Sequence, residues 1–156
     1  MPTQTFLLGM NAKIYRGAEG AILADLTEMG NVKDVTVTME AGEADVTTRA
    51  NSGWRATAPT LRECTVEFEM LWKPSDEAFA AIYAAFLTGG LVRLAPLTGA
   101  KSADGVAQVA GSDGIWGDFA ITNCTRNEPL EEGVTASVTA KLSIFAGLIE
   151  NGLEAA

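Results

Sequence analysis

The sequence contains no histidine. That removes the imidazole base, the Ser-His and Cys-His nucleophile pairs, and histidine as a metal ligand. Cysteine is nearly absent too. Cys64 and Cys124 stand far apart, with no CxxC or other metal-ligand spacing, and read as two buried free thiols. Basic residues are scarce, 11 Lys+Arg against 20 Asp+Glu, a formal net charge of −9. Such a balance argues against gripping a phosphate backbone, whose affinity comes from many Lys and Arg contacts, and against docking on an anionic membrane. Long apolar runs are missing: nothing approaches a membrane span, and Phe6-Leu7-Leu8 is too short for a secretory h-region. The expectation is a chain with no membrane partner, made in the cytoplasm.

What is present is an ordinary globular composition, 47% hydrophobic and 20% charged over 156 residues, which fits one domain spanning 1–156. No internal repeat or low-complexity linker divides it. Period-two alternation dominates. Val35, Val37 and Met39 alternate with Asp34, Thr36, Thr38 and Glu40, predicting a strand over Val32–Glu40. In Glu63–Trp72, Cys64, Val66, Phe68, Met70 and Trp72 fall on one face and Glu63, Thr65, Glu67 and Glu69 on the other. A one-residue slip there would bury three carboxylates, so the register should be firm. Further strands are expected over 12–16, 91–94, 115–125 (with Phe119 and Ile121 inward) and 134–145, where Thr135, Ser137 and Thr139 oppose Val134, Ala136 and Val138.

One helix is expected over Asp76–Thr88. Ser75 is the expected N-cap, Phe79, Ile82, Tyr83 and Phe86 form an apolar stripe at helical spacing, and Gly89-Gly90 stops it. Residues 40–62 and 98–114 resist assignment. The first is too long for an ordinary hairpin loop, and the second, with its glycines, reads as a mobile loop or irregular excursion. The pattern predicts a mainly β, α+β fold: an antiparallel β-sandwich or barrel with a flanking helix.

No catalytic or metal constellation survives scrutiny. Lys101-Ser102 ends like a phosphate loop, but Ala95 and Ala100 stand where that loop needs glycines. Asp104-Gly105, Asp113-Gly114 and Asp118 match no EF-hand spacing and read as turns. Glu63, Glu67 and Glu69 on one strand face read as solvated carboxylates, and Lys141 with Ser143 as an alternating polar face. No cofactor and no enzymatic activity are expected.

Residues 43–70 (EADVTTRANSGWRATAPTLRECTVEFEM) carry a more specific pattern. Ala44-Asp45-Val46-Thr47-Thr48-Arg49 leads through Gly53-Trp54 into the strand from Leu61 to Phe68. The helix at 76–88 follows, and the chain ends in the long alternating strand 134–145. In this order of elements, from about residue 10 to 146, the chain resembles the major tail tube proteins of long-tailed bacteriophages, a fold shared with the type VI secretion tube protein. The resemblance implies a structural virion protein that assembles with itself into hexameric rings, stacked as a hollow tail tube through which DNA passes without specific binding. It further implies tape-measure and tail terminator partners, and a place in the virion tail after assembly in the host cytoplasm.

By the same resemblance, residues 40–62 form a long inter-subunit loop. Val46, Trp54 and Leu61 are its expected apolar anchors, and Arg49 and Arg55 meet carboxylates of a neighbour. The candidate channel-facing residues are Glu63, Glu67 and Glu69, or the row Thr135, Ser137 and Thr139; solvent outside the tube is the competing location for both. The tail 147–156 either frays or docks on a neighbour, as do residues 1–10. A tail terminator, a tube initiator and a β-sandwich binding module remain alternative readings. Exposed aromatics on a strand face would favour the binding module.

Overall fold

The period-two segments become strands, and most run longer than their alternation suggests. The computed structural model of the protein describes residues 8–103 and 105–154. In chain order its elements are β1 (Lys13–Ala18), β2 (Thr27–Glu28), β3 (Val32–Asp45), β4 (Thr57–Leu71), α1 (Glu77–Thr88), β5 (Leu91–Leu97), β6 (Gly114–Asn127), β7 (Thr135–Glu150) and β8 (Leu153–Glu154). They form one antiparallel sheet in the order β2-β1-β5-β6-β7-β4-β3, with β8 added on β7. The sheet is open, and among the described residues no strand pairs with the outer edge of β3. It curls far enough that Val35 of β3 and Lys13 of β1 line one groove with Leu97 of β5.

The main core gathers the inward residues of β4 (Cys64, Val66, Phe68, Met70), β6 (Phe119, Ile121) and β7 (Ala136, Val138, Ala140) under α1. Phe119 is fully buried, as its strand alternation requires. A second, smaller core lies on the opposite face of the β1–β5–β6 half, where Tyr15, Leu26, Ala95, Leu97, Trp116 and Ile149 pack together. That half of the sheet is therefore covered on both faces. The β3–β4–β7 half keeps one face open to solvent, the arrangement an antiparallel sheet permits.

The helix begins one residue later than its composition suggests. Asp76, not Ser75, is the N-cap, accepting from the Phe79 N–H at 3.2 Å, and Gly89 closes the helix at φ 75°. A carboxylate at the cap also meets the positive end of the helix dipole. Phe79 and Ile82 bury with Ala78 and Ala85, whereas Tyr83 and Phe86 remain exposed at the margin of the stripe. Trp72 meets Phe79 edge-on at 4.8 Å, which ties the end of β4 to the helix.

Of the two unassigned segments, the first differs from expectation and the second is the irregular excursion rather than a mobile loop. Residues 40–62 are not a loop but the outer part of the β3–β4 hairpin, paired through Asp45 and Thr57. Only residues 46–56 form its tip. Residues 98–113 are irregular but anchored. Ser102 N–H donates to the Gly152 carbonyl (2.9 Å), Val109 N–H to the Asn151 carbonyl (2.7 Å), and Thr98 Oγ1 to the Gly111 carbonyl (2.6 Å). Those bonds also hold the C-terminal segment, where β7 runs on to Glu150 and buries Ile149. Residues 147–154, expected to fray or to dock on a neighbour, continue β7 and pair through β8 within the subunit; residues 1–7, 155 and 156 lie outside the described residues.

Candidate functional site

Three features stand outside the folding core: an open polar face, an unpaired edge and a protruding arm. The polar face follows from the register. Thr36 pairs with Glu67, Glu67 with Thr139, and Thr139 with Asn123. In the next row Lys33 pairs with Glu69, Glu69 with Ser137, and Ser137 with Thr125. The glutamate row and the hydroxyl row expected separately from sequence thus lie side by side on one face of β3, β4, β7 and β6. Glu63 continues that face outward, where it sits directly across from Glu40.

Thr135 departs from its expected place. Alternation puts it on this face, but it is only 6% exposed at the start of β7, paired with both Leu71 and Asn127. The hydroxyl row that reaches the surface is therefore Ser137 and Thr139, both half-buried. Short polar groups and carboxylates dominate the surface, joined by Lys33 and Lys141.

The edge belongs to β3, a strand of 14 residues with almost every side chain exposed. Val35, Val37 and Met39 point to the core side of the sheet yet remain exposed, because nothing among the described residues covers them. Met39 joins Leu142, Phe145 and Leu148 along an apolar groove. Their alternation predicts the strand, but alternation marks which residues share a face, not whether that face is covered.

The arm is the outer hairpin, and it carries all five expected contact residues. Val46, Arg49, Trp54 and Arg55 lie in or beside the tip, while Leu61 sits further down β4. Trp54 is 75% exposed and Leu61 84%. The tip has a defined shape all the same. Asp45 Oδ1 accepts from the Thr47 N–H (2.9 Å), and Thr47 Oγ1 accepts from the Ala56 N–H (3.0 Å). Asn51 Nδ2 donates to the Trp54 carbonyl at 3.0 Å, beyond a turn in which Ser52 and Gly53 take positive φ. The Thr47 hydroxyl and N–H hold the Asp45 carboxyl below its ordinary pKa.

No group of three or more metal-ligating side chains occurs among the described residues. Asp113 and Asp118 serve the fold instead: Asp113 Oδ1 accepts from the Asn151 N–H (3.0 Å), and Asp118 pairs with Arg93 (2.9 Å). Burial raises the pKa of both thiols, Cys64 buried and Cys124 half-buried, so both are protonated at neutral pH.

A long unpaired edge, an open polar face and an exposed arm describe a subunit shaped for assembly. The sequence matches the family model of the phage tail tube protein over residues 11–144. The chain belongs to the phage tail tube protein family. The function of this tail tube protein is structural, and its place is the virion tail.

Solved tails share its fold. The tail of an empty gene transfer agent particle, refined with C6 symmetry, is similar at a TM-score of 0.65 and 14% identity over 92% of this chain and 97% of that one. The SPP1 tail tube is similar at 0.69 and 16% identity over 96% of this chain and 81% of that one. A chain of the anti-feeding prophage baseplate is similar at 0.60 and 4% identity over 97% of this chain and all of that one. No curated protein matches the chain by sequence.

Proposed function

We propose that six copies of this tail tube protein close side by side into a ring, that rings stack into a hollow tube, and that DNA passes along the open polar face. The observation that carries the ring is the outer edge of β3. A long exposed edge with apolar side chains is an aggregation hazard for a monomer, and pairing it with a neighbour in a closed ring removes the hazard. The sixfold symmetry of the gene transfer agent tail supports the number of copies.

The channel assignment rests on chemistry. Glu63, Glu67, Glu69, Ser137 and Thr139 offer DNA like charge and small hydroxyls, which repel or slide past phosphates instead of holding them. The arm, with Val46, Arg49, Trp54, Arg55 and Leu61, supplies the contact to another subunit; Trp and Arg are enriched among such anchors. A tape-measure protein inside the tube and a terminator at its end complete the proposed partners, assembled in the host cytoplasm.

Negative-stain electron microscopy of the purified protein, with sedimentation across a concentration series, tests the ring. Rings or tubes with a central pore are expected. A strict monomer at high concentration would rule the proposal out.

A further inference from the structure

The arm and the β6–β7 connection stand at opposite ends of the same strands. β4 runs 15 residues from the arm tip to Leu71, roughly 45–50 Å for an extended chain. At the Leu71 end β7 starts, with Thr135 beside both Leu71 and Asn127. The connection 128–134 therefore projects from the end away from the tip, held there by the Trp72 N–H donating to the Val134 carbonyl at 2.8 Å and by Arg126 lying over the Trp72 ring at 5.1 Å.

The two connecting segments are opposite in charge. Residues 46–56 contain Arg49 and Arg55 and no acid; residues 128–134 contain Glu128, Glu131 and Glu132 and no base. Each also exposes an apolar side chain: Trp54 at the tip, and Leu130, fully exposed, in the connection. Glu128 is already engaged with Arg126 at 3.1 Å, which leaves Glu131 and Glu132 as the exposed acids.

Resting on the reading of the arm as an inter-subunit contact, we infer that the tip of one subunit docks on the 128–134 connection of a subunit in the next ring, Arg49 and Arg55 meeting Glu131 and Glu132 while Trp54 covers Leu130. Charge also decides the direction. Tip against tip sets two arginines against two, and connection against connection sets glutamate against glutamate, whereas tip against connection is complementary. Head-to-tail contacts of this kind are heterologous, and they extend without closing.

A charge swap tests the pairing. R49E/R55E and E131R/E132R are made separately and together, with circular dichroism melts confirming that each folds, and polymer is measured by sedimentation and negative-stain microscopy. Each double variant is expected to lose stacked tubes, with at least about a tenfold weaker ring-to-ring association, and to keep single rings. The quadruple variant, with its charges restored in reverse, should regain tubes. Stacking unchanged in E131R/E132R, or no recovery in the quadruple variant, would overturn the docking site while leaving ring formation standing. A parent protein that never passes beyond monomer would overturn the ring reading and this inference with it.

Discussion

Asp118 lies inside the protein as an anion, held by Arg93 Nε at 2.9 Å, Arg93 Nη2 at 3.1 Å and the Gly20 N–H at 3.1 Å. Burial pushes its carboxyl up, but the two sets of hydrogen bonds and the guanidinium charge outweigh that, and its pKa lies below the ordinary value. Arg93 also donates to the Ala21 carbonyl at 2.7 Å and lies over the Trp116 ring, so the pair ties the β1–β2 connection to β5 and β6. A depressed carboxylate contributes stability above its unfolded pKa of about 3.9 and loses it as the pH falls through the lower folded value. Urea melts should therefore weaken below about pH 4, and less steeply in Asp118→Asn. Asp118→Ala leaves the part-buried guanidinium without its counter-charge and should cost about 3 kcal/mol at pH 7. A second check concerns Cys64 and Cys124. Since Cys64 is protonated and buried, a thiol reagent at pH 7 should label it far more slowly in the folded protein than in urea, and more slowly than the half-buried Cys124. The burial of Cys64 was legible from its place in the β4 alternation. The pairing of Arg93 with Asp118 was not, because residues 25 apart meet only once β5 and β6 pair.

At the scale of elements, the strong periodic runs were legible and the arm was not. Gly42 and Pro59 interrupt the alternation of residues 40–62, and both have a structural reason. The register shifts between Ala41 and Glu43, and a side chain at Gly42 would press on Thr60. Pro59 has no N–H to donate, yet it is tolerated because β4 pairs with β7 only from Thr65 onward, leaving one side of the outer β4 unpaired. The arm buries little, so the fold should not need its tip. Replacing residues 47–55 by Asn-Gly, a two-residue turn suited to a hairpin, should shift Tm by no more than a few degrees while removing stacked tubes from micrographs. Loss of the folded state would instead show Trp54 to be an internal anchor. Gly117 is less replaceable. A Cβ there collides with the Ile144 carbonyl where β6 bulges against β7, so Gly117→Ala should destabilise the sheet by about 1–3 kcal/mol in a denaturant melt.

At the scale of the whole molecule, composition and geometry meet. Six copies at −9 carry −54, and a ring must overcome that repulsion through strand pairing and apolar contact. The same acidity suits a wall past which DNA moves. With Glu67→Lys and Glu69→Lys combined, tubes should still form but particles should eject DNA more slowly; unchanged ejection would put that face on the outside. Sequence showed which residues share this face. It could not show that the glutamate and hydroxyl rows are neighbours, because that depends on β4 lying beside β7, whose paired residues Leu71 and Thr135 stand 64 positions apart in sequence. The open edge of β3 has one more consequence. About half of its backbone N–H groups point away from β4 and meet water in the single subunit, so their protons should exchange with deuterium within moments of dilution. The amides of β6 between Gly114 and Ala120, where β5 and β7 flank it on both sides, should hold their protons far longer. Deuterium uptake along β3 therefore becomes a clock for assembly: it stops at those amides when a neighbour arrives, whatever the length of the polymer.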